Sequence, residues 1–219
     1  MKNSLFTLAA IGCLVFQANA QQIQEPQIPT HHDSRGYAIL KNGGLIEGRI
    51  YDTEHSKSIK QIHMEIASGT NKKIAAQELH EFGIVISDKA EANKKLISEK
   101  KESLMPEDFI IYRNLKVHGK KELLLQLLNP ENSGIIEVYY APSTEKRRLK
   151  QVAQDPTPNP KEGTYYLSKN GERVLKVKYQ NYWRAYKKLF KECPELMKNK
   201  SPELWDLEEH IQVFTSHAH

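Results

Sequence analysis

Cysteine becomes a nucleophile when a histidine draws off its proton and an acid steadies the histidine. The chain has two cysteines, and Cys193 is followed at short range by His210, with Glu209 and Asp206 close by in sequence. A hydrolase using Cys193 as nucleophile and His210 as base is the catalytic reading that these residues allow. No glycine-rich elbow or local Cys-His signature accompanies them, and a free cysteine at a helix end commonly serves as a small buried apolar residue. Histidines gather at both ends, as His31-His32-Asp33 and His217-Ala218-His219. Neutral imidazoles this close together can ligate zinc, nickel or copper. No His-Glu-x-x-His spacing occurs, and frayed ends bind metal adventitiously, so the sequence calls for no cofactor.

Aromatic side chains offer a different chemistry. Tyr139, Tyr140, Tyr165, Tyr166 and Trp183 are the candidate binding residues, in a stretch that also holds Tyr179, Tyr182 and Tyr186. Exposed, they would stack on a glycan or anchor a protein partner. Buried, they would form the core between a sheet and a helix, which the helical spacing of several of them favours. Lys146 to Lys150, with Lys94-Lys95 and Lys100-Lys101, could attract anionic lipid or polysaccharide, although charge runs in linkers are usually solvated. Glu208 and Glu209 are adjacent on a helix and so cannot face each other as an acid–base pair.

These groups must be held by elements that the residue pattern makes legible. Gly36 to Tyr51 contains two apolar runs joined by Asn42-Gly43-Gly44, residues suited to the positive φ of a type I′ hairpin turn. Ile46, Gly48 and Ile50 share one face of its second half, the period-two alternation of a half-buried strand. Gln61 to Ile66 alternates in the same way and is closed by a Ser68-Gly69-Thr70-Asn71 turn. Lys73 to Ala75 suits a short fourth strand, Ala76 to His80 one helical turn, and Phe82 to Ile86 a further strand. Phe109 to Tyr140 reads as a meander, in which Leu123-Leu124-Leu125 is either a central strand buried on both faces or part of a helix. A second Asn-Gly hairpin spans Tyr165 to Val177. Tyr182, Tyr186, Leu189 and Phe190 then fall on one helical face, and Ser201-Pro202-Glu203 carries an N-cap signal before the stripe Leu204, Leu207, Ile211 and Phe214.

Residues 1–20 have the form of a cleavable export signal: Lys2, an apolar stretch from Leu5 to Phe16, and Ala18-Asn19-Ala20 before the cut. Ala10-Ile11-Gly12-Cys13 offers a competing lipid-attachment site, which would make the protein a tethered structural component of the envelope. No later stretch is apolar and long enough for a transmembrane segment. Cleavage after Ala20 removes one of 32 basic residues and none of 27 acidic ones, leaving 31 against 27. That balance lacks the concentrated basic stripe of a nucleic-acid binder. Only Cys193 would remain, so no intrachain disulfide can form and packing must supply the stability. The expected organisation is signal peptide 1–20, extended arm 21–35, β-rich domain 36–143, basic and proline-rich linker 144–163, and a hairpin with helices over 164–219, packed on the β-rich part.

Gly36-Tyr37 through Leu40-Lys41-Asn42-Gly43 to Ile46, Gly48 and Ile50 resembles the opening of a group of uncharacterised exported bacterial proteins. Tyr165 to Gly171 and Tyr182 to Leu196 are similar to that group's Tyr-Tyr-Leu-x-Lys-Asn-Gly hairpin and its aromatic helix ending near Cys-Pro-x-Leu. Gly44 stands where the group usually has an acid, which bears on the length of the turn. The resemblance implies no activity and assigns no catalytic residue. The hairpin also resembles the first motif of Sm-like RNA-binding barrels, but export argues against RNA. The expectation is an α+β protein, predominantly antiparallel β with a barrel-like option in its first half, and C-terminal helices packed on the sheet. Its expected role is non-catalytic, as a periplasmic or extracellular protein that binds another protein or a glycan.

Overall fold

The computed structural model describes residues 23–26, 34–55, 58–66, 68–85, 109–117, 121–130, 135–141, 163–171 and 173–217. The lysine-rich stretch 88–107, the linker up to residue 162, His31, His32 and His219 lie outside the described residues. Ten antiparallel strands form one sheet: β1 (Ser34–Leu40), β2 (Leu45–His55), β3 (Ile59–Ile66), β4 (Asn71–Ala75), β5 (Leu79–Val85), β6 (Phe109–Lys116), β7 (Glu122–Leu127), β8 (Ile136–Ala141), β9 (Thr164–Lys169) and β10 (Arg173–Val177). Two helices follow, α1 (Tyr182–Leu189) and α2 (Leu207–His217). The fold is α+β with the helices packed on the sheet.

The spatial order is β10-β9-β8-β7-β6-β5-β1-β2-β3-β4, with one further pairing between β3 and β7. Ile59 of β3 meets Leu124 of β7, while Leu124 also pairs with Asn114 of β6. That contact closes β7-β6-β5-β1-β2-β3 into a six-stranded ring, a small barrel that leaves β4 as a flap on β3. Two residues later β7 changes neighbour: Gln126 and Leu127 pair with Tyr140 and Tyr139 of β8. The strand that shuts the barrel thus opens the second half of the sheet. Its residues 123–127 are all buried, because Leu124 faces the barrel core while Leu123, Leu125 and Leu127 face a second cluster on the other side. A strand between two cores has no solvent face, which explains why its pattern also suited a helix.

Local chemistry fixes the turns, with three differences from expectation. At the first hairpin Gly43 N–H reaches Leu40 O (2.9 Å), Leu40 N–H reaches Gly44 O (2.8 Å), and only Gly43 has positive φ (+84°). This is a three-residue loop ending in a left-handed glycine, not the two-residue type I′ turn. Asn42 Oδ1 accepts the Gly44 N–H (3.0 Å), so the asparagine folds the loop through its side chain. At the second hairpin Asn170 (φ +52°) and Gly171 (φ +69°) are both left-handed, as a type I′ turn requires, but Lys169 pairs with Arg173, so this loop too spans three residues. Ala76 to Glu78 form a tight turn rather than helix, and β5 starts at Leu79. Ser201 is not an N-cap: its N–H is taken by Asn199 Oδ1 (3.0 Å), and a 3-10 turn over Leu204–Asp206 precedes α2.

Three apolar clusters result, of which one spans β6 to β9 with Ile111, Leu125, Leu127, Tyr139 and Tyr166. Inside the barrel lie Ala38, Ile50, Ile62, Met64, Phe82, Ile84 and Leu124, with Phe82 stacked on Tyr112 at 4.8 Å. Between β8–β10 and the helices lie Tyr140, Tyr165, Leu167, Tyr182, Tyr186, Phe190, Ile211 and Phe214. The expected helical stripes are both buried here. The arm joins this second core: Gln24 N–H donates to Leu128 O (2.7 Å), and Ile23 packs against the cluster.

Candidate functional site

The residues with chemical potential are not assembled as a catalytic pair. Cys193 is 1% exposed, held in the helical core by Phe190 and Leu196. His210 is buried as well, and its Nδ1 lies 2.8 Å from the Tyr182 hydroxyl. The rings of Tyr182, Tyr186 and Phe190 surround it. Burial lowers its pKa below the ordinary 6.5 despite the opposing charges of Asp206 and Glu209. His210 is therefore a hydrogen-bonded core residue, and no hydrogen bond joins it to the thiol.

The aromatic face is likewise mostly interior. Tyr139, Tyr140, Tyr165 and Tyr166 are all buried, but only Tyr140 and Tyr165 lie between sheet and helices, whereas Tyr139 and Tyr166 join the cluster of β6–β9; burial raises the phenol pKa of Tyr139, Tyr165 and Tyr166. Only Trp183 of the five candidates stands out, at 40% exposure. His217 lies 2.9 Å from Glu195. Among the described residues no three His, Cys, Asp or Glu side chains are grouped to hold a metal.

The strands of the barrel build a site that the sequence did not announce. Gly36 faces Gly48 across β1 and β2. A Cβ at Gly48 would fall 2.2 Å from Glu65 O, and one at Gly83 would fall 2.3 Å from the Tyr37 ring. Glycine therefore lets β2 close on β3 and lets Tyr37 lie flat over β5. Tyr37 meets Phe109 edge-on at 5.2 Å. A groove of about 630 Å³ opens here, lined among others by Arg35, Tyr37, Glu47, Arg49, Glu65 and Phe109. Arg35 and Arg49 stand directly opposite each other, and Arg49 lies 3.8 Å from Glu65.

Behind the groove runs a chain of charge-assisted hydrogen bonds. The Tyr37 hydroxyl donates to Glu81 Oε1 (2.7 Å), Arg113 Nε donates to Glu81 Oε2 (2.7 Å), and a second Arg113 nitrogen donates to Glu137 Oε1 (2.7 Å). Glu81 is 7% exposed, so its charge depends on Arg113. Burial and the neighbouring Glu81 carboxylate raise the Tyr37 pKa, which keeps its proton in place as a donor. Burial disfavours the Arg113 charge, but Glu81 outweighs it and the guanidinium pKa rises. The network ties β1, β5 and β6 of the barrel to β8 of the second half. Its sequence signal was a charge flanked by apolar residues in the middle of each of two strands, Glu81 in Leu79–Val85 and Arg113 in Phe109–Lys116.

Comparison of the chain with known protein families, with curated proteins and with solved structures gave no match in any of the three.

Proposed function

We propose that this is an exported, non-catalytic protein of the envelope or periplasm that holds another macromolecule, and that it does so through the groove on β1, β2, β3 and β6. The observation that carries the reading is the groove's lining: two arginines, two glutamates and a crossed pair of aromatic rings around about 630 Å³. A polypeptide offers both signs of charge and apolar side chains to such a surface. A neutral glycan would cover Arg35 and Glu47 without offering either a counter-charge, a costly outcome, whereas Arg49 and Glu65 already face each other at 3.8 Å. The Tyr37–Glu81–Arg113 network supports binding rather than turnover, because it fixes the Tyr37 ring and holds its hydroxyl protonated. The burial of Cys193 and the engagement of His210 by Tyr182 point the same way.

The test is photo-cross-linking in cells. A photo-reactive residue replacing Glu47, on the exposed side of the groove, is expected to trap one discrete partner, and the added substitution Arg35→Glu to abolish the adduct. Adducts that survive Arg35→Glu unchanged, or that form equally from a probe at exposed Lys72 on β4, would overturn the proposal. Mass spectrometry of the processed N-terminus tests export: it is expected to begin at Gln21, and an intact Met1 would refute it.

A further inference from the structure

Residues 173–191 contain seven lysines and arginines and no acidic residue. The fold places this run along β10 and α1, at the opposite end of the sheet order from β4. Within α1 the buried positions are Tyr182, Ala185, Tyr186 and Leu189. The helical repeat therefore turns Trp183, Arg184, Lys187 and Lys188 outward, and Lys191 follows on the same exposed side. Among the described residues no carboxylate pairs with Arg184, Lys187 or Lys188; Lys191 lies 3.9 Å from Glu192, which is itself bound by Lys169 at 2.7 Å. Instead Lys187 Nζ sits 4.1 Å above the Trp183 ring.

Exposed aromatics border this basic ridge. Tyr179 (46% exposed) lies one turn before Trp183, and its ring is 5.4 Å from that of Trp205 (39% exposed). Three of the five large hydrophobic side chains exposed among the described residues are thus gathered on one side of the molecule. Lysine stems beside tryptophan and tyrosine combine a charged tip with an apolar body, the combination that suits the boundary between water and a lipid headgroup layer. The cations lie on the outward face of a helix; the small cavity beside Trp205 is lined by Glu25 and Glu208 and so does not suit an acidic protein segment. A flat, deformable array of negative charge can reach every cation on that face at once.

We propose that the outward face of α1, with Tyr179 and Trp205 at its border, is an adsorption surface for anionic phospholipid. It is separate from the groove on the barrel, so each stands or falls alone. The purified protein is sedimented with vesicles of phosphatidylcholine alone and of phosphatidylcholine mixed with phosphatidylglycerol. Binding is expected only to the mixed vesicles, to weaken steeply with added salt, and to shift the emission of a Trp205→Phe variant, in which Trp183 is the sole tryptophan, to shorter wavelength. Lys187→Glu is expected to weaken binding at least about fivefold, and Lys187→Glu with Lys188→Glu on the order of thirtyfold or more. Both side chains are exposed, so an unchanged circular dichroism spectrum separates lost binding from lost fold. Equal binding to both vesicle types, or binding untouched by the double reversal, would overturn the proposal. So would equal binding to soluble polyglutamate without the emission shift, which would assign the face to acidic proteins.

Discussion

The barrel of β1–β7 and the helix-covered sheet of β8–β10 are built from one continuous chain of strand pairings, yet their interiors are made of different material. The barrel core is largely aliphatic and makes few specific demands beyond volume. The second core is aromatic: Tyr182 bonds His210, Tyr186 donates to Leu196 O, and Phe190 contacts Tyr186 and Phe214 edgewise or tilted. A polar tip inside a core needs its own partner, so the second half is specified atom by atom and the first by size and alternation. Arg113, β7 and the apolar cluster that Ile111, Leu125 and Leu127 share with Tyr139 and Tyr166 make them one structure.

The largest effect separating the halves is expected from Phe190→Ala. It removes a fully buried ring and should cost about 3–5 kcal/mol, read from the denaturant midpoint, against about 1 kcal/mol for Ile62→Val in the barrel. Arg113→Met should cost about 3 kcal/mol, because it strands Glu81 and Glu137; the arginine's 24% side-chain exposure keeps the value at the low end. If the network couples the halves, this variant should also split one unfolding transition into two, seen as non-coincident tryptophan fluorescence and far-ultraviolet dichroism. A single coincident transition would mean that β7 and the apolar cluster it shares with β8 and β9 suffice to join them.

A finer contrast compares near-isosteric changes. Tyr186→Phe leaves Leu196 O without its donor and should cost about 1–3 kcal/mol. Met64→Leu in the barrel should cost under about 1.5 kcal/mol. Equal losses would erase the distinction drawn between the cores. The smallest effect is the pH response. Because burial depresses the His210 pKa below 6.5, the unfolded chain takes up the proton first. The contribution of His210 is complete above pH 6.5 and is lost as pH falls from there through the folded-state pKa. Thermal melts between pH 7 and 5 should show this loss, and His210→Phe should flatten that part of the profile whatever its effect on overall stability.

Much of this was legible in the residues. Alternation located strands within Leu45 to Tyr51, Gln61 to Ile66 and from Phe109 on, although β2 runs on to His55 and β3 begins at Ile59 where a polar connection was expected, and the i, i+4, i+7 spacing of Tyr182, Tyr186 and Leu189 located α1. Asn170-Gly171 announced its left-handed turn. The first turn was misread because Asn42 folds its loop through the side chain, leaving positive φ to Gly43 alone. The groove was not legible, although Arg35, Tyr37, Glu47 and Arg49 share the first hairpin and Glu65 the next strand, because its far wall is Phe109 of β6 and each of these residues is ordinary by itself.

Period and turn chemistry are properties of neighbouring residues, so the sequence by itself determined that this chain forms antiparallel ribbons followed by two amphipathic helices. Which ribbons meet is decided by contacts between distant residues, and there local pattern is silent. Ile59 meeting Leu124 shuts the barrel, and Arg113 reaching both Glu81 and Glu137 stitches the halves together. In the groove, the first hairpin by itself carries Arg35, Tyr37, Glu47 and Arg49, but Phe109 reaches Tyr37 only because β5 and β6 pair beside β1, a contact between distant residues that tertiary packing alone decides.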